Sequence, residues 1–64
     1  MDRLAREILD VLERPRRAEE LVEILLARGF DPRDVRRVLA ELVKTGIVEK
    51  MPDYGARVFL FRRK

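Results

Sequence analysis

The chain contains 64 residues, of which 47% are hydrophobic and 42% are charged, and its 15 Lys and Arg outnumber its 12 Asp and Glu to give a net charge of +3. A chain of this length is expected to form one small domain with a thin hydrophobic core. Because cysteine and histidine are absent, disulfide bonds, thiolate metal sites, histidine metal ligands and imidazole catalysis are all excluded.

The first predicted element is an amphipathic helix over residues 2–14, in which apolar side chains recur at helical spacing. Asp2 is placed to support the first turn of this helix, and Pro15 stops it. The basic segment of residues 14–17 is predicted to be a short connector that could contribute one extended, strand-like pairing, or rung.

A second helix is predicted over residues 18–29. Gly29 is a natural C-terminal cap for it, because glycine adopts the left-handed conformation at low cost. The glutamates of this segment are expected to face water. The buried side of the helix is predicted to consist of four aliphatic residues: Leu21, Val22, Leu25 and Leu26.

A third helix is predicted over residues 32–45. Asp31 is a suitable N-cap, Pro32 suits the first helical position, and Gly46 closes the far end. At about 100° per residue, the side chains of this helix separate cleanly onto two opposite sides. The apolar side contains Val35, Val38, Leu39 and Leu42, and the basic side contains Arg33, Arg36, Arg37, Ala40 and Lys44.

A β-hairpin is predicted to follow the third helix. Residues 47–51 and 57–61 are rich in β-branched and aromatic side chains, which favour strands. Residues 52–55, with the sequence PDYG, are predicted to form the turn, with proline at its first position and glycine at a positive φ. Arg57 is then expected at or near the tip of the hairpin.

The order of these elements and several residue matches carry a family resemblance. The matches lie in the second and third helices and in both strands: Glu20, Leu21, Val35, Leu39, Leu42, the segment TGIVEK and the segment ARVFLF. The sequence resembles a winged helix-turn-helix domain of the MarR-like, minimal archaeal type. The resemblance covers nearly the whole chain and implies an α+β, mainly α fold, with three helices and a C-terminal hairpin wing in a single domain over residues 1–64.

The resemblance also implies that the third helix is a recognition helix in the major groove of double-stranded DNA. Its arginines would then lie near base edges, because the planar guanidinium can bond guanine O6 and N7 together, and Lys44 would contact phosphate. The small side chain of Ala40 would let the helix backbone approach the groove. The implied DNA-binding residues are Arg33, Arg36, Arg37, Ala40 and Lys44 on this helix, Tyr54 and Arg57 on the wing, and Arg16 and Arg17 before the second helix.

A solvated helix face is the alternative interpretation of the basic side. Arg37 lies three residues from Asp34 and four from Glu41, and surface ion pairs at such spacings contribute only about 0.2–0.5 kcal/mol each. The helix also lacks the Ser, Asn and Gln residues that common regulators use to contact bases. Asp31 and Asp34 suit the helix dipole but would repel a nearby phosphate. Asp34 could instead accept a hydrogen bond from cytosine N4, so whether binding is sequence-specific stays open.

A DNA-binding protein, either a transcriptional regulator or a small chromatin-associated protein, is therefore the predicted function. The alternative is a winged-helix module that binds other proteins within a larger assembly. RNA binding is left open, and no aromatic stacking platform is evident in the sequence. The chain has no nucleophile–base pair and no phosphate-binding glycine loop, so it is not expected to be an enzyme or to need a cofactor, a metal ion or a small-molecule ligand.

A homodimer is also predicted. The residues of the segment VFLF alternate between two faces of a strand, and both faces are apolar, whereas a hairpin packed on helices needs only one apolar face. The first helix is apolar over more than one side as well. Exposed apolar surface of this kind marks an interface, and the expected contact joins the first helix and the last strand to a second copy. A groove between helices of one monomer is the alternative place for the first helix.

The composition gives two further expectations. A chain rich in Arg and Glu that lacks Asn and Gln is typical of a thermophilic source, and the resemblance implies an archaeal one. No apolar run is long enough to span a bilayer and no signal-peptide pattern opens the chain, so a cytoplasmic, nucleoid-associated protein with no membrane partner is predicted.

Overall fold

The computed structural model describes residues 2–64, and Met1, the first residue of the predicted domain, lies outside the described residues. Three helices precede two strands: α1 (Arg3–Val11), α2 (Ala18–Ala27), α3 (Pro32–Lys44), β1 (Val48–Asp53) and β2 (Val58–Arg63). The strands pair as an antiparallel hairpin. The predicted class, α+β and mainly α, is confirmed, and the arrangement is compatible with a winged-helix topology.

The start of α3 is fixed by the residues that the sequence indicated. The Asp31 side chain accepts a hydrogen bond of 2.8 Å from the backbone N–H of Arg33, and Pro32 occupies the first helical position. One of the backbone donors left unpaired at a helix N-terminus is thereby satisfied, and the proline loses nothing there because its missing N–H would have had no partner. At the other end, Gly46 has a φ of 84°.

We predict that Gly46→Ala lowers the free energy of unfolding by about 1 kcal/mol, because a residue with a Cβ is strained at positive φ. A Cβ at this position would meet no atom within 4 Å, so the cost is conformational and not steric. Gly55→Ala is the matched control, since φ at Gly55 lies outside the left-handed region. Urea denaturation of both variants checks the prediction, and equal stabilities would contradict it.

The core lies between the three helices and the start of the hairpin. Ile8 of α1, Leu21 of α2 and Val35 of α3 are all 0% exposed, and Val48 of β1 closes the core at 1%. The apolar side predicted for α3 is confirmed, because all four of its residues are buried: Val35, Val38, Leu39 and Leu42. Among the described residues, no helix has both the length and the apolar character needed to cross a membrane.

The buried side of α2 differs from the prediction at one position. Leu26 is 55% exposed, and Ile24 packs against the core in its place. Leu21 and Leu25 define the centre of the buried side, since both are fully buried. At about 100° per residue around the helix axis, Leu26 lies beyond Leu25, on the far side from Leu21, and therefore points toward solvent. Ile24 lies at the border of the apolar side.

The connector between α1 and α2 forms the extended rung that the sequence allowed. The backbone of Arg16 pairs with that of Phe61 through two hydrogen bonds, of 3.0 Å and 2.7 Å. In addition, the Arg16 Nε donates to the carbonyl oxygen of Val11 at 2.8 Å, at the end of α1. This segment therefore attaches the hairpin to the helices along the free edge of β2.

The turn of the hairpin lies two residues later than predicted. β1 continues through Pro52 to Asp53, so the turn consists of residues 54–57 instead of 52–55. A proline is tolerated in β1 because the strand lies at an edge, where one row of N–H groups needs no partner. Asp53 accepts a hydrogen bond from the backbone of Ala56 at 3.4 Å, and the positive φ of the turn, 56°, belongs to Arg57 and not to a glycine.

Candidate nucleic-acid interface

The exposed side of α3 is the stripe of basic residues expected from the sequence. All five residues of this side are exposed, and the Arg33 side chain is 90% exposed. The opposite side of the helix is anchored in the core, so the direction of the stripe is fixed by packing. We refer to these residues as the α3 stripe: Arg33, Arg36, Arg37, Ala40 and Lys44.

Ion pairs engage some of the stripe and leave the rest without partners. Arg37 forms both of the pairs that its spacing predicts, with Asp34 and with Glu41, at 3.6 Å each. Arg36 and Lys44 form no ion pair within residues 2–64. The solvated-face interpretation therefore describes Arg37 better than Arg36. The pairs of Arg37 are exposed and worth only about 0.2–1 kcal/mol, so a phosphate or a base edge can replace them at low cost.

A groove separates the α3 stripe from the hairpin. Arg36 of α3 and Lys50 of β1 stand on its borders. Its remaining lining is apolar and comes from α2, α3 and β2: Ala18, Leu39, Ala40, Val43 and Phe61. Residues of the stripe and of the hairpin thus line one groove, which has a cation from each of them and an apolar floor.

The two arginines before α2 differ in their availability. The Arg16 side chain is only 14% exposed and lies 3.6 Å from Glu20, in addition to its hydrogen bond with Val11. Its observed contacts attach the hairpin and the connector to the helices. Arg17 also lies near Glu20, at 3.8 Å, but its side chain is 47% exposed and lines a second cleft beside Lys50. Of this pair, the geometry therefore favours Arg17 as a contact for an external phosphate.

The tip of the hairpin presents a tyrosine and an arginine to solvent. Tyr54 is 86% exposed, and Arg57 is exposed beside it, in a shallow cleft that Pro52 also lines. Arg57 holds a left-handed conformation that costs a residue with a Cβ about 1–2 kcal/mol. A glycine would adopt this φ without that cost, so the arginine side chain is kept at the tip against a local conformational preference.

Lys50 and Phe59 lie on the hairpin beside these residues, and neither was among the DNA-binding residues implied by the sequence. The Lys50 Nζ lies 4.4 Å from the centroid of the Phe59 ring, a cation–π distance. Pairing of Lys50 with Phe61 and of Pro52 with Phe59 places these residues on one face of the hairpin. The predicted turn at residues 52–55 would have paired Lys50 near position 57. The contact between Lys50 and Phe59 could therefore not be predicted without the correct position of the turn.

The basic residues of α1 and α2 are engaged differently. Arg28 donates hydrogen bonds to Asp10 at 3.3 Å and to Glu7 at 3.2 Å, and it thereby links α2 to α1. The hydrogen bond to Asp10 raises the pKa of Arg28 above its ordinary value, and the bond to Glu7 acts in the same direction. Arg28 therefore supports the helix pair, whereas Arg36 and Lys44 on α3 form no ion pair within residues 2–64.

Comparisons with protein-family models, with curated proteins and with solved structures find no significant match to the chain. Within residues 2–64, no group of three or more acidic side chains is arranged to hold a metal ion. The candidate site is therefore defined by its own geometry: the α3 stripe, the groove beside it, and the hairpin with its exposed basic and aromatic residues.

Proposed function

We propose that this chain is a winged-helix DNA-binding protein that places α3 in the major groove of duplex DNA and the hairpin, as the wing, on the flanking backbone or minor groove. The observation that carries the proposal is the groove that Arg36 and Ala40 of the α3 stripe share with Lys50 of the hairpin. An α-helix fits the width of the major groove, and a wing beside it meets the adjacent backbone.

The chemistry of the stripe supports this role. Arg36 has no ion-pair partner among residues 2–64, so its guanidinium is available to bond guanine O6 and N7 or a phosphate. Ala40 follows one turn later and is exposed, which allows the helix backbone to come close to the bases. Lys44 and Arg57 are two further exposed cations, and they are available to contact phosphates of a duplex.

Retention on a DNA column as salt is raised tests the proposal. A protein that neutralises several phosphates releases counterions, so its affinity falls steeply as salt increases. We expect elution at a salt concentration well above that of a non-binding protein of the same net charge. Selection from a random duplex library at physiological salt then separates two roles: enrichment of a motif supports a transcriptional regulator, and uniform binding supports a chromatin-associated protein.

A protein-binding module is the second candidate, and the apolar floor of the groove favours it. Leu39, Val43 and Phe61 would suit an apolar side chain of a partner protein better than a phosphate. Salt discriminates the two functions, because apolar contacts persist at high salt whereas phosphate contacts are lost. Absence of any salt-dependent retention on DNA would favour this second function.

We also propose that the protein forms a homodimer through the hairpin. In the structure the apolar sides of α1 are largely consumed within one chain, because Leu4, Ile8 and Leu12 are buried. On β2, however, Leu60 is only partly buried and lies outside the residues packed against the core, together with its pairing partner Met51. This face of the hairpin, and not α1, is therefore the proposed contact.

Sedimentation equilibrium over a range of micromolar concentrations tests the dimer. We expect an average mass that rises from the 7.6 kDa of one chain toward twice that value. Leu60→Lys should return the mass to that of the monomer, because a charge cannot be buried unpaired in an apolar contact. A monomer mass at every concentration would contradict the proposal.

A further inference from the structure

An exposed phenylalanine on the hairpin is not explained by duplex binding through α3. Phe59 is 53% exposed, although burial of a phenylalanine is normally favourable. The Lys50 ammonium lies over the ring, 4.4 Å from its centroid. Phe61, two residues later on the same face of the strand, packs against the core, so the hairpin is held in place beneath the exposed ring.

Phe59 stands where two shallow clefts meet, and both clefts are bordered by cations. The first lies toward the start of α2 and contains Arg17 and Lys50. The second lies toward the tip of the hairpin and contains Tyr54 and Arg57. A chain that passes along this face would meet a cation, an exposed aromatic ring, and then a second cation beside a second aromatic ring.

We propose that this face of the hairpin is a binding site for single-stranded nucleic acid, in which an unpaired base stacks on Phe59 and the flanking phosphates contact Arg17, Lys50 and Arg57. Proteins that bind single strands combine positive grooves with aromatic side chains on which bases stack. In a duplex the faces of the bases are covered by their neighbours, so stacking on the ring requires an unpaired strand. The site lies on the hairpin and the start of α2, and the α3 arginines line neither cleft.

Two carboxylates border the same clefts and do not reverse their charge. Asp53 is engaged in the turn, where it accepts a hydrogen bond from the Ala56 N–H. Glu19 is exposed at the start of α2, where the helix dipole favours a negative charge. Against these two stand three cations, Arg17, Lys50 and Arg57. Arg17 also pairs with Glu20 at 3.8 Å, in an exposed contact that a phosphate can replace at low cost. The residues that line the two clefts therefore carry a small excess of positive charge, which complements a phosphate backbone.

The test compares the affinities of oligo(dT), oligo(U) and a blunt duplex for the whole chain at low and moderate salt. In Phe59→Leu, which keeps the apolar bulk but removes the aromatic ring, we expect single-strand affinity to fall by about five-fold or more, since stacking on an aromatic ring is worth about 1–3 kcal/mol per base. Affinity for the duplex should change much less. The two single-stranded probes distinguish DNA from RNA as the source of the strand.

Leu26→Ala is the matched control, because Leu26 has nearly the same exposure, 55%, but lies on α2 and lines neither cleft. It should leave all affinities unchanged. Tyr54 is the only tyrosine in a chain without tryptophan, so quenching of its fluorescence by the single strand gives a second readout at the tip. Thermal unfolding verifies that each variant is folded.

Three results would overturn the proposal: no binding of either single strand by the unaltered chain, equal single-strand affinity in Phe59→Leu, or an equal loss for duplex and single strand. A change in sedimentation mass without a loss of single-strand affinity would instead assign Phe59 to a contact between copies. The duplex proposal is judged separately, by variants of the α3 stripe. Either proposal can therefore fail while the other stands.

Discussion

Replacing Arg36 and Arg37 together with alanine is expected to lower the affinity for duplex DNA about tenfold or more while leaving the domain folded. A well-placed arginine on a base edge is worth about 1–3 kcal/mol, and each lost phosphate contact also reduces the salt dependence of binding. Both side chains are exposed, and within residues 2–64 the only ion pairs lost are those of Arg37 with Asp34 and Glu41. Alanine also has the highest helix propensity, so α3 should be retained.

The matched control removes the same charge from another helix. Arg3 and Arg6 are exposed on α1, and neither lines the groove or the clefts of the hairpin. If α3 lies against the duplex, the double variant of α1 should bind nearly as well as the unaltered chain. An equal loss in both double variants would show that net charge alone governs binding. Unchanged affinity in the α3 variant would remove this helix from the interface.

The α3 stripe could be predicted from the sequence because local rules determine it. Asp31 and Pro32 define where the helix begins, and Gly46 defines where it ends, so the phase of the helix is known. Once the phase is known, burial of the apolar side leaves the arginines facing outward. The class of the fold followed in the same way from the order and period of the elements.

The hairpin could be located but not placed in register. The segment PDYG contains three residues that favour turns, yet Pro52 lies within β1. The turn closes at Arg57, which has the positive φ that the sequence would assign to glycine. Cross-strand pairing and the rung formed by Arg16 decide the register, and neither is a local property of the turn. The contact of Lys50 with Phe59 depends on that register, so it became visible only in the structure.

The exposure of Leu26 shows a similar limit on α2. Leu26 and its neighbour Leu25 are chemically identical, and hydrophobicity alone assigns both to the core. Only the packing of α2 against α1 and α3 decides which of the flanking residues, Ile24 or Leu26, reaches the border of the core. Sequence periodicity therefore locates the centre of a buried side better than its edges.

Ile8→Ala is expected to be the most destabilising of the substitutions considered, with a loss of about 2–5 kcal/mol in the free energy of unfolding. Ile8 is 0% exposed at the middle of α1, so the change removes three carbon atoms from the core and leaves a cavity. A domain of this size has a total stability of roughly 3–10 kcal/mol, at about 0.05–0.15 kcal/mol per residue. The loss is therefore a large fraction of the total stability, and the variant should unfold at a much lower urea concentration than the unaltered chain.

Urea denaturation followed by circular dichroism measures this loss, with Leu26→Ala as the control. The control exchanges one exposed aliphatic residue for alanine on a helix surface and should change the free energy of unfolding by less than about 0.5 kcal/mol. The comparison also tests where α1 packs. The sequence left two alternatives, a position in the core of one chain and a contact with a second copy. A small loss for Ile8→Ala at concentrations where the protein is monomeric would mean that α1 does not pack in the core of one chain. A large loss at those concentrations would show that α1 is packed in the core of one chain. Of the two elements in the predicted dimer contact, the hairpin would then be the one that still exposes apolar side chains.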